Sequence, residues 1–288
     1  MHFVKAKGII GTNNGMNIYR GCQHGCIYCD ARSSCYQFTH LFEDIQVKEN
    51  AIELLEAALK SRRKPTMIGT GAMTDPYMPL ERQLGMTRRS LEIIEKYGFG
   101  ATVHTKSHEV LRDLDLFQRI HQKTKAVVQL SLTCMDDGLS RLIEPNVCPT
   151  SRRVEVLREF QRAGVPTVVW MCPILPFLTD TEENILGILD ACRETGVRGV
   201  IWYGPGVTLR EGDREYFYAN LDRKFPGLKE EYIRRYGNAY EVNSPNGRYL
   251  NYLFHKTCEQ YGIWHDNDRI FHYLRTLDGE ETQMSFFP

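Results

Sequence analysis

The chain has 288 residues, which is enough for one large domain or two small ones. Its hydrophobic fraction of 42% and charged fraction of 25% are typical of a globular protein, and no stretch of about 18 apolar residues predicts a transmembrane helix. The 36 basic and 36 acidic residues balance, so the overall charge gives no signature of nucleic-acid binding, although a local basic groove stays compatible with it.

The N-terminal segment lacks the apolar run and cleavage site of a secretory signal. The nine cysteines are irregularly spaced and do not resemble a disulfide framework in a chain of this length. We therefore expect a cytoplasmic protein in which a tight group of cysteines is a metal site.

Six strand patterns alternate with five helical patterns along the first two thirds of the chain. The strand patterns are at 16–20, 66–71, 100–107, 126–134, 166–176 and 197–204. The helical patterns are at 47–59, 81–97, 109–121, 151–163 and one that reaches Thr195, for which Thr179 with Glu182 and Asp180 with Glu183 are predicted capping pairs.

Such a βα repeat predicts parallel strands in a barrel or a doubly wound sheet. In both arrangements the chemistry lies at the carboxyl ends of the strands. Those ends carry the unusual segments of this chain, namely the cysteine group, TDPY at 74–77, TKS at 105–107, SLTCMDD at 131–137 and CPILP at 172–176.

The alternation ends near Arg210, where tyrosine-rich helical patterns begin. We predict a barrel with its N-terminal lead-in and cluster loop over residues 1–209. Residues 210–288 are predicted to be a helical extension packed on that barrel, with a polar C-terminal tail.

Four cysteines lie close together as Cys22, Cys26, Cys29 and Cys35. A structural zinc site usually takes its four ligands from two C-x-x-C knuckles, which the C-x3-C-x2-C spacing does not provide. A redox pair of Cys26 and Cys29 leaves Cys22 without a role. Three thiolates on one short loop suit a [4Fe–4S] cluster whose fourth iron stays open.

At this point the sequence resembles the radical S-adenosylmethionine (radical SAM) superfamily, whose signature is C-x3-C-x-Φ-C with an aromatic residue, here Tyr28, at Φ. The segments NIYRGCQHGCIYC, GTGAMTDPYMPLE, TKSHEVLRDLDL, SLTCMDD…EP and CPILPFLTD resemble the spore photoproduct lyase-like branch in order and spacing. The resemblance covers residues 1–205 well and implies a partial (β/α)6 TIM-like barrel.

The resemblance also implies cofactors and a reaction. A [4Fe–4S] cluster held by Cys22, Cys26 and Cys29 would bind S-adenosylmethionine (AdoMet) at its open iron. An electron from an external donor such as flavodoxin or ferredoxin would then cleave AdoMet, and the resulting 5′-deoxyadenosyl radical would abstract hydrogen from a substrate. The reaction type would be that of a lyase or an oxidoreductase.

Further contacts with AdoMet follow from the same resemblance. Tyr28 would pack near adenine, Thr74 and Asp75 would face the methionine or ribose, and Lys106 and Ser131 would meet the carboxylate and the ribose. Cys172 would line the cofactor mainly through its backbone. Taken one at a time, these residues also fit a solvated lysine, a strand hydroxyl and a turn or helix cap.

The chain departs from the lyase at two positions. Ala72, followed by Met73, stands where the lyase has a hydrogen-donating cysteine, and Asp30 replaces an aromatic residue after the third cluster cysteine. Both departures argue against thymine-dimer repair. Cys35 and Cys134 become candidate hydrogen donors, although an inert thiol is the simpler interpretation of each.

The C-terminal segment Gln283, Met284, Ser285, Phe286 and Phe287 resembles the short peptides that dock bacterial DNA-handling proteins on the sliding clamp. It makes the clamp a candidate partner, and a packed or frayed terminus is the alternative.

Three functions stay open. The first is a radical SAM enzyme acting on an unassigned substrate, with nucleic acid as one candidate. The second is a radical SAM enzyme for a peptide, a protein or a small metabolite. The third is a non-enzymatic barrel with structural zinc or a degenerate cluster.

Overall fold

The computed structural model describes residues 1–278, which contain eleven strands and eleven α-helices. The strands are β1 (His2–Val4), β2 (Gly15–Met16), β3 (Tyr19–Arg20), β4 (Gln46–Lys48), β5 (Met67–Thr70), β6 (Gly100–Thr105), β7 (Ala126–Ser131), β8 (Thr167–Trp170), β9 (Gly199–Ile201), β10 (Gly206–Thr208) and β11 (Glu241–Asn243). The helices are α1 (Ala51–Ser61), α2 (Glu81–Leu84), α3 (Met86–Lys96), α4 (Leu114–Lys123), α5 (Asp137–Ile143), α6 (Thr150–Arg162), α7 (Glu182–Glu194), α8 (Asp213–Lys224), α9 (Leu228–Tyr236), α10 (Gly247–Tyr261) and α11 (Asn267–Arg275).

Six parallel strands form the main sheet in the order β2-β5-β6-β7-β8-β9. This order is the chain order, as expected when each strand is followed by a right-handed crossover. All six residues of β7 are buried, which fits an apolar strand covered on both faces. The predicted α/β partial barrel is therefore confirmed.

The N-terminal region differs from the prediction in two respects. The strand predicted at 16–20 is divided, because β2 joins the main sheet whereas β3 pairs antiparallel with β4. The helix predicted from residue 47 begins at Ala51, because β4 occupies Gln46–Lys48 and also pairs parallel with β1. A three-stranded sheet thus stands beside the barrel.

Two predicted helix details are wrong. The helix predicted over 81–97 is interrupted at Gly85, which is left-handed with φ 61°. The N-cap of α7 is Thr181, whose side chain accepts a hydrogen bond from Asn184 N at 3.2 Å. Thr179 and Asp180 have other partners, since Thr179 Oγ1 accepts from Leu175 N and Asp180 accepts from the Ser244 hydroxyl.

The inward-facing side chains of the barrel form layers. An apolar layer of Met67, Val127, Val168 and Ile201 lies at one end and packs against Ile270 and Leu274 of α11. Two residues further along β7 and β8 the inward side chains are Gln129 and Trp170, because residues i and i+2 of a strand share a face. There Gln129 donates to Thr102 at 2.7 Å and accepts from Trp170 Nε1 at 2.7 Å.

The end of the barrel opposite α11 therefore holds the polar and aromatic side chains. The antiparallel pair of β10 and β11, which are separated in the chain by α8 and α9, spans the predicted boundary at residue 209. The division into 1–209 and 210–288 stays a prediction. Within residues 1–278, no helix combines the length and the apolar character needed to span a membrane.

Candidate active site

A cavity of about 670 Å³ lies at the carboxyl ends of the parallel strands. Its inner wall consists of the cluster loop, the loop after β5 and the end of β6. Its outer wall includes residues of β10 and β11, together with Asp30 and Tyr36. The cavity therefore occupies the position that βα topology reserves for chemistry.

The three cysteines of the signature, Cys22, Cys26 and Cys29, all line this cavity. None of the three forms a disulfide. Burial, together with the neighbouring Asp75 and Cys29, raises the pKa of Cys22 to about 12. Burial likewise raises the pKa of Cys26 well above its ordinary value, and the two other cysteines add to the effect. A bound cation that replaces the thiol protons would compensate the negative charges of the neighbouring thiolates.

The spacing of these thiols distinguishes two kinds of metal site. Among the described residues, one group of three or more His, Cys, Asp or Glu ligand atoms lies entirely within 4.8 Å, and it does not include the cysteines. Thiolates around a single tetrahedral zinc ion would lie about 3.8 Å apart. In a [4Fe–4S] cluster each cysteine binds a different iron, so the thiolates are held further apart. At least two of the three cysteine sulfurs are therefore more than 4.8 Å apart, a separation that fits the cluster better than a single zinc ion.

The segment after α5 holds the cluster loop in place. Ile27 N donates to Ile143 O at 2.9 Å, and Asn146 N donates to His24 O at 3.1 Å. The side chain of Asn146 adds a bond from Nδ2 to Gln23 O at 2.8 Å. The residues on either side of the EP segment at 144–145 thus hold the cluster loop.

A buried polar network links the same segment to Tyr28. The Tyr28 hydroxyl donates to Glu144, whose other oxygen lies 2.5 Å from Arg153 Nη2. Arg153 also donates to Ser131 O at 2.8 Å and to Ser140 Oγ at 3.0 Å. Both charged side chains are completely buried, so each depends on the other for its counter-charge. Because its hydroxyl is occupied, Tyr28 presents only its ring to the cavity.

Asp75 organises the loop after β5. Its carboxylate accepts from Thr105 Oγ1 at 2.6 Å, Lys106 N at 2.7 Å and Tyr77 N at 2.9 Å. His24 Nε2 lies 2.9 Å from the same group. Burial favours the neutral acid, but His24 and these hydrogen bonds outweigh it and hold the pKa of Asp75 well below its usual range. With both oxygens engaged, Asp75 positions β6 and the cluster loop rather than offering a free acceptor.

Thr74, directly before it, is the contrasting case. Its hydroxyl is buried, lines the cavity and has no hydrogen-bond partner among the described residues. A buried hydroxyl without a partner is costly unless a ligand supplies one. Ala72 and Met73 line the same stretch of wall, so no thiol stands at this point of the cavity.

Gly71 allows the loop to pass β6. Its φ is +102°, and a Cβ there would come within 2.0 Å of His104 O. The glycine is needed for this close backbone approach.

Lys106 brings a positive charge to the inner wall. Burial lowers the pKa of this amine, but Cys26, Glu144 and Cys29 raise it more, so that the net shift is upward. Its Nζ lies 5.9 Å from the centroid of the Tyr28 ring. The ammonium therefore stands close to the cysteines and stays charged.

Ser131 does not line the cavity and instead supports a residue that does. Its hydroxyl lies 2.8 Å from His104 Nε2, and the imidazole stacks on Trp170 with ring centroids 4.7 Å apart. Burial, reinforced by Lys106, lowers the pKa of His104 to about 3. His104 and Trp170 thus form a neutral, flat surface in the cavity wall.

Of the remaining predicted cysteines, one lines the cavity and two lie outside it. Cys172 lines the cavity beside Pro173. Cys134 is buried outside it, and its thiol donates to Asp136 O at 3.4 Å. Cys35 is exposed, with its sulfur 3.2 Å from Arg210 Nη1. Geometry gives no support to direct hydrogen donation into the cavity by Cys35 or Cys134.

Arg210 contacts both Cys35 and Asp30. Besides its contact with Cys35, its Nε lies 3.3 Å from Asp30 Oδ1, and its Nη2 donates to Tyr240 OH at 2.7 Å. Asp30 in turn accepts from Tyr36 OH at 2.9 Å. Asp30 and Tyr36 both face the cavity, so this group of residues shapes its outer wall.

A smaller cavity of about 210 Å³ shares Tyr36, Met73 and Thr74 with the main one. Arg20 and Lys48 bring positive charge to it. Burial and the proximity of Arg20 lower the pKa of Lys48, and neither residue forms an ion pair within residues 1–278. Two like charges beside a cavity, without a carboxylate, favour an anionic ligand.

Sequence reasoning missed His104, His24 and the pair of Glu144 and Arg153. A signal existed for His104, because it lies in β6 two residues before Lys106, which directly follows the strand, so that the two side chains are expected on one face. No comparable signal existed for Arg153, whose partner lies on another element.

A family model described as the radical SAM superfamily matches residues 16–186. The chain therefore belongs to the radical SAM superfamily, as its cysteine motif and its cavity indicate. Membership confirms the predicted family and implies a [4Fe–4S] cluster and AdoMet as cofactors. Enzymes of this superfamily take their electron from an external donor.

Similar curated proteins are named only as uncharacterized. One from Mycobacterium tuberculosis is 30% identical over 234 residues, covering 77% of this chain and 66% of the relative. One from Methanocaldococcus jannaschii is 31% identical over 179 residues, covering 62% of this chain and 66% of the relative. One from Acidianus two-tailed virus is 27% identical over 231 residues, covering 75% and 74%. The chain thus spans about two thirds of the length of the first two relatives.

Similar solved structures are mutants of spore photoproduct lyase. One with bound AdoMet and dinucleoside spore photoproduct has a TM-score of 0.61 and 16% identity, covering 88% of this chain and 75% of that chain. Another has a TM-score of 0.61 and 17% identity, covering 92% and 78%. At this identity the likeness shows the fold.

Proposed function

We propose that this chain is a radical SAM enzyme in which Cys22, Cys26 and Cys29 hold a [4Fe–4S] cluster that cleaves AdoMet reductively. The observation that carries the proposal is that these three thiols, the buried hydroxyl of Thr74 and the ammonium of Lys106 face one cavity. When bound, the cluster supplies the single electron that breaks a carbon–sulfur bond of AdoMet. The products are methionine and 5′-deoxyadenosine once hydrogen has been taken from a substrate.

The residues of the chain then bind and orient AdoMet. The charged Lys106 suits a carboxylate, and the unpartnered Thr74 hydroxyl suits a polar group of methionine or ribose. The flat face of His104 on Trp170 and the ring of Tyr28 offer stacking surfaces for adenine. Ser131 fixes the orientation of His104 and is a positioning residue in this scheme.

Anaerobic reconstitution with iron and sulfide tests this function. We expect about four irons per chain, a brown protein and 5′-deoxyadenosine that appears only when dithionite and AdoMet are both present. The control variant is Cys192→Ala, which removes a buried cysteine outside the cavity. It should keep the iron content and the formation of 5′-deoxyadenosine. Colourless, zinc-loaded wild-type protein that forms no 5′-deoxyadenosine would favour the structural zinc alternative, against which the wide thiol spacing argues.

We further propose that the substrate carries a phosphate group, with nucleic acid as the leading candidate. Arg20 and Lys48 support this substrate class, because they bring two positive charges without carboxylate partners to a cavity that adjoins the main one. The ring of Tyr36 lines both cavities and could stack on a base, whereas the Phe38 ring is already covered by the Arg20 guanidinium at 4.7 Å from its centroid.

Salt-dependent binding separates this substrate from a peptide, a protein or an uncharged metabolite. Fluorescence anisotropy with a single-stranded oligonucleotide should give an affinity that falls as salt rises, and Lys48→Ala should reduce the slope by about one. Lys60→Ala, which removes an exposed lysine of α1, should not change it. Absence of binding, or an unchanged slope in Lys48→Ala, would contradict a phosphate-bearing substrate. It would favour a cationic or peptide substrate that binds on the side of the cavity where the exposed Glu241 lies.

The partners proposed from sequence extend this scheme. Flavodoxin or ferredoxin would supply the electron, and reduction by either one in place of dithionite tests it. The clamp-binding segment Gln283, Met284, Ser285, Phe286 and Phe287 lies outside the described residues and stays a prediction. Deletion of 283–288 should abolish binding to purified clamp if the prediction holds, and unchanged binding would contradict it.

A further inference from the structure

A second group of ligating side chains lies outside the cavity, where β1 meets the segment between Tyr36 and β4. His2, His40 and Asp44 place one ligand atom each within 4.8 Å of the others, and they are the one group in residues 1–278 that meets this distance. We propose that these three residues bind a single divalent transition-metal ion such as Zn²⁺.

The orientation of His40 is that of a metal ligand. Its Nδ1 lies 2.9 Å from Leu41 O, so Nδ1 carries the proton and Nε2 keeps its lone pair. That Nε2 is buried and has no hydrogen-bond partner in the described part of the chain. Histidines that bind metals commonly donate their other ring N–H to a backbone carbonyl in this way, which fixes the tautomer.

His2 and Asp44 supply the other two ligands at a suitable separation. His2 Nδ1 lies 2.9 Å from Asp44 Oδ2. Around a tetrahedral zinc ion with bonds of about 2.0–2.1 Å, neighbouring ligand atoms lie about 3.3 Å apart. A small rotation of the two side chains therefore admits an ion between them. The His40 ring, whose centroid lies 4.8 Å from that of His2, would turn toward the same ion.

The other charged groups around the site are compatible with a cation. The terminal ammonium of Met1 contacts Asp44 Oδ1 at 2.8 Å, and a metal would compete with it for that carboxylate. The three side chains are only partly buried, so water can complete the coordination and the ion can enter. Imidazole and carboxylate ligands without a thiolate suit Zn²⁺, Co²⁺ and Ni²⁺.

Such an ion would stabilise the wall of the main cavity from outside. It would join β1 to the segment 38–44, whose Phe42 O accepts a hydrogen bond from Cys22 N at 3.3 Å. The same segment follows Tyr36, which lines the cavity. The site is independent of the cluster, since none of its residues lines that cavity.

Zinc binding to the cluster-loaded protein tests the proposal. Occupied cluster cysteines leave the predicted site as the one that takes up added zinc, and iron and zinc are counted separately. We expect one zinc per chain in competition with a chelator, with the affinity reduced at least about tenfold in His40→Ala and in Asp44→Asn. His272→Ala, which removes an exposed histidine of α11, should leave the affinity unchanged.

X-ray absorption at the zinc edge identifies the ligands directly. Nitrogen and oxygen neighbours at about 2.0–2.1 Å, without sulfur at about 2.3 Å, would support the site. A sulfur shell, or equal zinc affinity in the wild type, His40→Ala and Asp44→Asn, would overturn it. The cluster absorbance shows whether each variant is folded. If His40→Ala does not fold, the zinc affinity of Asp44→Asn provides the test.

Discussion

The inner and outer walls of the cavity are built differently. On the inner wall the buried Asp75 is paired with His24, and behind Tyr28 the buried Glu144 is paired with Arg153. On the outer wall Tyr203 is 62% exposed, and Glu241 has no ion-pair partner within residues 1–278. The difference indicates that the inner wall is fixed in advance for a constant cofactor, whereas the outer wall is open to a particular substrate.

The largest expected effect comes from breaking the buried pair of Glu144 and Arg153 behind the inner wall. Glu144→Gln leaves Arg153 charged and buried without a counter-charge, which should lower the free energy of unfolding by about 3–5 kcal/mol. Denaturant unfolding of the cluster-loaded protein measures it. The control is Glu155→Gln, which breaks an exposed pair with Arg152 on the same helix and should cost at most about 1 kcal/mol. Equal effects of the two variants would contradict the assignment.

The next effect concerns the ammonium of the inner wall. Lys106→Gln should weaken AdoMet binding by about 1.5–3 kcal/mol, because a charge-assisted hydrogen bond to the carboxylate is lost. Equilibrium dialysis with AdoMet and cluster-loaded protein gives the value. Lys123→Gln, on the exposed face of α4, is the matched control. Normal AdoMet affinity in Lys106→Gln would show that the lysine serves only the charge balance of the cysteines.

The region behind the outer wall should respond to pH through Asp213, the first residue of α8, which accepts a hydrogen bond from the backbone of Arg210. Burial raises the pKa of this carboxyl to about 6, and the nearby charge of Asp30 adds to the rise although the bonds to Arg210 N and Arg214 N oppose it. Its Oδ2 is buried and has no hydrogen-bond partner within residues 1–278.

Since this pKa is raised on folding, the protonated carboxyl stabilises the fold at low pH, and the contribution is lost as the pH rises through about 6. Asp213→Asn should therefore gain about 1–2 kcal/mol relative to the wild type between about pH 4 and pH 7. Thermal unfolding across that range measures the difference. Glu53→Gln, an exposed residue of α1, should show no such trend, and a flat difference for Asp213→Asn would count against a buried acid.

The smallest effect separates ligand binding from folding. Thr74→Val should leave the unfolding free energy nearly unchanged, because the hydroxyl has no partner among the described residues, and should weaken AdoMet binding by about 1 kcal/mol. Thr195→Val is the opposite case, since its buried hydroxyl donates to Ala191 O at 2.7 Å far from the cavity. It should lose stability and keep its AdoMet affinity. A stability loss in Thr74→Val would assign that hydroxyl a structural role.

The same comparison shows what could be predicted from the sequence. The parallel sheet and the placement of Cys22, Cys26 and Cys29 at its carboxyl edge were predictable, because the alternation of patterns and the cysteine spacing are local features. Tyr28, Thr74, Lys106 and Cys172 line the cavity as the family resemblance implied, although their roles stay predictions.

Other parts of the site depend on contacts that spacing does not reveal. Ser131 supports His104 instead of facing the cavity, because its hydroxyl is used across the strands. Asp75 has four protein partners, and Arg153 reaches Glu144 from a neighbouring helix. Each depends on side chains that meet only after folding.

The central claim is that three cysteines leave one iron open for AdoMet within this cavity. It is tested most directly by pulsed electron paramagnetic resonance on the reduced, reconstituted protein. The AdoMet carries an isotopic nitrogen label at its amino group. We predict a hyperfine coupling between the cluster and the labelled nitrogen, and its absence from Cys26→Ala, which cannot complete the cluster. A fully loaded, reduced wild-type cluster that shows no coupling at saturating AdoMet would contradict the claim.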